Sequence, residues 1–229
     1  MKKVEHFTIQ ATIECLSGLR IGGSDNLLQI GGTDLTCIKH PVTLQPYIPG
    51  SSLKGKMRSE LEKAEGKFSG QDGNEPCDCG GEKCPICRIF GPHKKAQHDL
   101  GPSRIIVRDA TLVSGGQIET KTENIIDRRV GTALHPRKVE RVVSGSTFNL
   151  NIGVQVWDLD QNFTYQEQTG GHALFKVVRY GMYLVEKTGL GAGVSKGYGR
   201  VAFRNVKVAR ISLDKFPDEW SEANATLSA

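Results

Sequence analysis

An α+β fold with the element order strand, helix, strand, strand, helix, strand is predicted by three patterns in this chain of 229 residues. Strict alternation runs from Phe7 to Cys15, where Phe7, Ile9, Ala11, Ile13 and Cys15 are separated by polar residues, the period of a half-buried strand. Two segments, Leu53 to Ala64 and Leu174 to Val185, instead space their apolar residues as an amphipathic helix does. Three further runs rich in β-branched residues fall between and after them. An antiparallel sheet with two helices on one face, the ferredoxin-like, RNA-recognition-type βαββαβ core, satisfies that order.

Each element has its own signal. After the first strand, the glycine pairs Gly22-Gly23 and Gly31-Gly32 and prolines 41, 46 and 49 predict a long irregular excursion, and loops of that length usually carry function. From Ser51, the residues Leu53, Met57, Leu61 and Ala64 share one helical face, with serines available as caps. Residues 66–103 are polar and glycine-rich with little periodicity, which predicts an inserted lid and not core. Arg104 to Val113 reads as one strand and Thr147 to Trp157 as the next. The insertion between them, residues 114–146, should pair its two ends as a projecting hairpin with a Gly-Thr-Ala-Leu-His-Pro tip. Gly171 to Thr188 is the second helix, GYGRVAFRNVKVARI the last strand, and the tail after Asp214 should fray. All of this fits a single domain over residues 1–229.

Composition narrows the class. Thirty Lys and Arg against 25 Asp and Glu, a net charge of +5, permit a nucleic-acid partner without demanding one. No apolar run is long enough to span a bilayer and MKKVEHFTIQ lacks a signal-peptide core, so a cytoplasmic protein without a membrane partner is expected. Of six cysteines, Cys77, Cys79, Cys84 and Cys87 crowd into one short stretch. In a reducing compartment that spacing points to a tetrahedral zinc site, closed and therefore structural, because a segment such as CDCGGEKCPIC has too little apolar area to fold without a staple; redox pairs or free thiols are the alternative. His93 and His98 are near enough in sequence to replace one ligand. Cys15 reads as core.

The Pro-Gly break before Ser51 opens a helix whose first turns carry Ser51, Ser52, Lys54, Lys56 and Arg58. Exposed backbone N–H groups and the positive end of the helix dipole make such a start an anion platform when hydroxyls and cations stand beside it; an ordinary capped helix with solvated lysines is the alternative. Gly50 to Lys56 also has the spacing of a nucleotide-binding P-loop, but Met57 stands where Ser or Thr should hold magnesium, which excludes that reading. A second glycine cluster, Gly189 to Arg200, follows a helix and opens a strand, the wrong order for a dinucleotide fingerprint. It offers Ser195, Lys196, Tyr198 and Arg200 to phosphates or bases, or it is a sharp turn. The hairpin carries Arg128, Arg129, Arg137, Lys138 and Arg141 interleaved with Ile125, Ile126, Val130 and Leu134, as a backbone-following arm would and as a solvated hairpin also would. Asp34, a lone carboxylate on a glycine-rich turn, suits an Asx turn or, with a divalent ion, RNA cleavage.

GLRIGGSD, IGGTD, YIPGSSLKGKMRSELE, CPICRIFG, VRDA, TKTENIIDRRVGTALHPRKVERV and the final GYGRV together resemble the RAMP (repeat-associated mysterious protein) superfamily. Within it they are similar to the repeated backbone subunits of type III-A CRISPR effectors, the Csm complexes. The resemblance covers nearly the whole chain in order. It implies a ferredoxin-like palm with a zinc-bearing lid and a thumb hairpin, polymerising head to tail along a CRISPR RNA among other Csm subunits. It also implies that each thumb displaces one base of the duplex between guide and complementary target RNA. Asp34 would then cut the target beside each displaced base with magnesium or manganese, and the helix start at Ser51 would meet the guide backbone. Two departures stand out: Arg20 where the family has His in GLHIGG, and LGAGVSKGYG in place of LGGSGSRGYG.

Overall fold

The computed structural model describes residues 1–22, 35–70, 73–94 and 97–213. Its elements run β1 (Lys3–Cys15), α1 (Gly50–Glu65), β2 (Phe68–Ser69), β3 (Glu75–Pro76), α2 (Pro85–Phe90), β4 (Ile105–Val107), β5 (Thr111–Ser114), β6 (Ile118–Ile126), β7 (Ala133–Val142), β8 (Thr147–Trp157), β9 (Thr164–Tyr165), β10 (Gln168–Thr169), α3 (Gly170–Thr188) and β11 (Val201–Ser212). The fold is mixed α/β and dominated by sheet. Asp34, the glycine pair before it and the tail from Asp214 lie outside the described residues. Among the described residues no helix is long and apolar enough to cross a membrane.

The principal sheet has the order β11-β1-β8-β4, with β5 also pairing β8, and every pairing is antiparallel. β1 lies between β11 and β8, and its alternation sets the register of both: Phe7, Ile9, Ala11, Ile13 and Cys15 are buried on one face, opposite Val154, Ile152, Leu150 and Phe148 of β8. Leu53, Met57 and Leu61 of α1 and Leu174, Val177, Val178 and Val185 of α3 complete that core. The two helices approach closely at Gly181, where an added Cβ would stand 3.0 Å from Leu61 Cδ1 and 3.1 Å from Met57 Cε.

Several local expectations need correction. Ala64 is exposed, and the face of α1 rotates to bury Glu60 and Glu62, which pair with Lys56 and Lys63 and with Arg58 respectively. The serines do not cap α1; its N-cap is Pro49, and the Gly50 N–H donates to Asp109 Oδ1 at 2.7 Å. The single strand expected over Arg104–Val113 is broken between β4 and β5. The chain leaves the ladder there because Ala110 exchanges backbone bonds with Ile48 (2.8 and 3.0 Å) while Asp109 turns to the helix start.

Residues 66–103 are also more than a cover. Ile86, Ile89, Phe90 and Leu100 belong to the same buried cluster as the sheet and helices, a contribution hidden in the sequence because α2 has only 6 residues, too few to display a period. Behind α2, Arg104 and Asp160 are both fully buried and joined at 2.8 Å, with Arg88 reaching the same carboxylate at 3.4 Å.

The hairpin forms as a separate two-stranded ribbon of β6 and β7, but its tip is residues 127–132 and not Gly-Thr-Ala-Leu-His-Pro. Asp127 decides this: its Oδ1 accepts the N–H groups of Arg129 (2.7 Å) and Val130 (3.2 Å), and Gly131 adopts φ 75° to close the turn. Pro136 is accommodated within β7 at the register shift opposite Glu123–Ile125, next to His135 at φ 50°, where the ladder does not need its missing N–H.

Candidate nucleic-acid interface and metal centre

The start of α1 is built against the break between β4 and β5. Gly50 is required there because a Cβ would stand 2.2 Å from the Val107 carbonyl oxygen. The Asp109 carboxylate takes the Gly50 N–H, so part of the helix-start field is already answered from within the protein. The five residues assigned to the platform then divide. Ser51 is exposed and Ser52 partly so. Lys56 bonds Glu60 at 2.8 Å, and Arg58 bonds Glu62 at 2.8 Å and the Cys77 carbonyl at 2.8 Å. Lys54 has no anionic partner among the described residues, and burial, then the Arg58 charge, lower its pKa. A cation left in that condition gains from a phosphate placed beside it.

The glycine loop before β11 turns inward. Tyr198 is buried, its hydroxyl donates to Glu123 Oε1 of β6 at 2.5 Å, and Lys121 and Arg141 lie 4.6 and 5.1 Å from its ring centre. Lys196 bonds the other Glu123 oxygen at 3.0 Å. The clustered glycines answer to the protein itself: a Cβ on Gly191 would stand 2.3 Å from the Arg20 carbonyl oxygen, and one on Gly199 1.9 Å from that of Leu190. Val194 packs on Gly189, so the departure from the family pattern there is absorbed inside the loop. Ser195 and Arg200 face solvent.

On the hairpin, Arg128, Arg129, Arg137 and Lys138 are exposed, as are Ile125, Ile126, Val130 and Leu134. The side chains of Arg128, Arg129 and Arg137 have no partner among the described residues, whereas Arg141 pairs with Glu119 at 2.5 Å. An arm that presents unpaired guanidinium groups and uncovered aliphatic side chains can bind phosphate and press apolar groups between bases.

β7 also fastens both flanks of the stretch that carries Asp34. Leu19 pairs with Val142 before that stretch and Leu35 with Val139 after it, while Glu140 accepts the Cys37 N–H at 3.1 Å. Asp109, Lys121, Glu123 and Glu140 escape sequence reasoning as site residues, because each acts on a segment distant in the chain; their one local signal is that they fall within VRDA and TKTENIIDRRVGTALHPRKVERV.

Cys77, Cys79, Cys84 and Cys87 converge, with all four sulfurs within 4.8 Å of one another and four of the separations at 3.7 to 3.8 Å. Zinc bonded to four sulfurs at about 2.3 Å has tetrahedral edges of about 3.8 Å, so the thiols match that donor set. The local sequence explains the fit: Cys84 is the N-cap of α2, Pro85 begins it, and the Cys87 N–H reaches Cys84 Sγ at 3.5 Å. Hydrogen bonding from the Cys87 thiol pulls Cys84 down to about 5, and burial pushes Cys77 up to about 11. Neither His93 nor His98 joins the cluster.

The sequence matches the RAMP superfamily across residues 12–202. A relative from Methanothermobacter thermautotrophicus named CRISPR system Cms endoribonuclease Csm3 is 35% identical, covering 97% of this chain and 94% of its own. Another of the same name from Methanocaldococcus jannaschii is 39% identical, covering 94% and 84%. A crystal structure of the Csm3-Csm4 subcomplex in the type III-A CRISPR-Cas interference complex matches with a TM-score of 0.59 at 28% identity, over 93% of this chain and 83% of that one. A cryo-EM structure of the type III-B Cmr-beta bound to cognate target RNA matches with a TM-score of 0.57 at 20% identity, over 89% and 61%, a likeness of fold alone.

Proposed function

The chain belongs to the RAMP superfamily, and on that premise we propose that it is the guide-RNA-binding backbone subunit of a type III-A CRISPR effector and an endoribonuclease that cuts complementary target RNA at regular intervals. It polymerises head to tail along the guide with other Csm subunits, in the cytoplasm. The strand order β11-β1-β8-β4, with a helix after β1 and another after β8, supports the ferredoxin-like reading of one RAMP domain. Residues 66–103 are its zinc lid and 114–146 its thumb.

The observation that carries the reading is the attachment of β7 to Leu19 and Leu35, which couples the exposed arm to the two flanks of the Asp34 stretch. Base pairing reads the target sequence, while the protein holds backbone and shape. Guide phosphates meet Ser51, Ser52 and Lys54; target and guide backbone meet Arg128, Arg129, Arg137, Lys138, Ser195 and Arg200. Lys56, Arg58, Arg141, Lys196 and Tyr198 support those contacts through the protein bonds they already make. Asp34 is the catalytic carboxylate. A magnesium or manganese ion, when bound, supplies Lewis acidity at the scissile phosphate.

The test compares assembled complexes carrying native subunit or Asp34→Asn, with complementary RNA and magnesium. Loss of every cut with target binding intact supports the proposal. Unchanged cutting, or none by the native complex, leaves a guide-binding subunit without nuclease activity.

A further inference from the structure

The ribbon of β6 and β7 is fastened to the body in two different ways. β7 is held along its backbone by Leu19 and Leu35, and Glu140 N–H donates to the Leu35 carbonyl at 2.9 Å. A two-stranded ribbon held along one strand can still swing about that strand. Along β6, Glu123 accepts the hydroxyl of the buried Tyr198 and the Lys196 ammonium (3.0 Å), Lys121 lies over the Tyr198 ring, and Ile118 packs against the core at the base of the strand. Tyr198 in turn is anchored to the body, since Gly199 N–H donates to the Gly18 carbonyl (2.9 Å) and Ala192 N–H to that of Arg20 (2.8 Å). There is no slack in this seat: a Cβ on Gly193 would stand 2.7 Å from the Tyr198 ring, and one on Gly18 2.4 Å from the Arg141 side chain.

We infer that Tyr198 and Glu123 form a pin that fixes the angle of the hairpin to the sheet, and through that angle the phosphodiester at which bound RNA is cut. Both are positioning residues and touch no RNA. The inference rests on the endoribonuclease reading for its second half only.

Two measurements on the full chain test it. Amide hydrogen exchange across residues 118–126 reads the hairpin directly, without RNA. Cut positions in complementary RNA, mapped at nucleotide resolution in the assembled complex, read its consequence. Tyr198→Phe keeps the ring under both cations and removes only the hydroxyl; Glu123→Ala removes the acceptor, and Glu123→Gln keeps one. Expected for Tyr198→Phe is exchange in β6 faster by about tenfold, the loss of one charged hydrogen bond, and for Glu123→Ala, which also releases Lys196, an increase at least as large, with each cut spread over neighbouring phosphodiesters and guide affinity unchanged in both. Glu123→Gln should restore single cuts. Native exchange and native cut positions in Tyr198→Phe would overturn the pin. Faster exchange with unmoved cuts would overturn its link to cutting. A native complex that never cuts would sink the endoribonuclease reading and that link together, while exchange still decides whether the pin exists.

Discussion

Arg58 donates from Nη2 to the backbone carbonyl of Cys77 at 2.8 Å, while its Glu62 partner accepts the Cys77 N–H at 2.9 Å. One ion pair on α1 thus grips both sides of the first residue of the four-cysteine cluster. The helix start proposed to meet the guide and the cysteine segment are one mechanical unit.

Arg58→Ala should therefore act on the metal site before it acts on RNA. It leaves the nearly buried Glu62 carboxylate without its cation, at a cost of about 2 kcal/mol, which for a chain of this size lowers Tm by about 4–8 °C. Zinc should pass to a chelator faster than from the native protein. The dependence of RNA affinity on salt should be unchanged, whereas Lys54→Ala should reduce its logarithmic slope by about 0.7, one phosphate contact to a single strand. Binding titrations across a salt series separate the two residues; a slope lost at Arg58 and kept at Lys54 would reverse the assignment.

Thiol counting offers a second check. Burial pushes Cys15 up to about 12 and Cys37 up to about 11, so neither supplies thiolate near pH 8. Zinc-loaded protein should be nearly inert to a thiol reagent, and chelation should release the reactivity of the cysteines at 77, 79, 84 and 87 while the two buried ones wait for denaturant. Reaction of Cys15 or Cys37 in chelated but folded protein would show that the cysteine segment is needed for the core itself.

Glycine substitutions should split by position. Gly191 holds φ +79° with the Arg20 carbonyl in the space of a Cβ, so Gly191→Ala should destabilise by about 1–3 kcal/mol in strain alone. Gly55 lies inside α1 with nothing within 4 Å of an added Cβ. Gly55→Ala should stabilise the free protein by about 0.5–1 kcal/mol. If guide backbone approaches that face, the same substitution should weaken RNA binding. A more stable protein with undiminished RNA affinity would remove α1's exposed face from the interface.

What was legible in the sequence follows from the range of the forces involved. The period of two in β1 and the helical spacing of Leu174 to Val185 are local, and they marked the strand and helix that organise the core. The face of α1 was misjudged at Ala64 because buried Glu60 and Glu62 are held by cations one turn away, which hydropathy alone penalises. The hairpin tip was misplaced because Gly-Thr-Ala-Leu-His-Pro contains the usual turn residues, yet the Asp127 side chain closes a turn several residues earlier. The four cysteines were legible as a donor set because they are close in sequence as well as in space. Tyr198 was not legible as a buried residue, since its partners lie some 75 residues away on β6.

The pin between Tyr198 and Glu123 carries its own pH window. Bonds from Tyr198 and then Lys196 lower the Glu123 pKa, so its contribution is complete above the unfolded value of about 4.3 and is lost as pH falls through the lower folded value. Burial, then the bond to Glu123, raises Tyr198 from 10.0 to about 12, so its contribution is complete below pH 10 and is lost as pH rises from there to about 12. The native protein should thus exceed Tyr198→Phe in stability by a constant margin from about pH 5 to pH 9. That margin should shrink below about pH 4 and again above about pH 10. Denaturant midpoints of both proteins across that range measure it as a difference, in which the titrations they share cancel. A margin flat to pH 12 would mean that the hydroxyl is not held by Glu123 in solution, and the hairpin angle would then have to be set at β7 and by the Lys196–Glu123 pair.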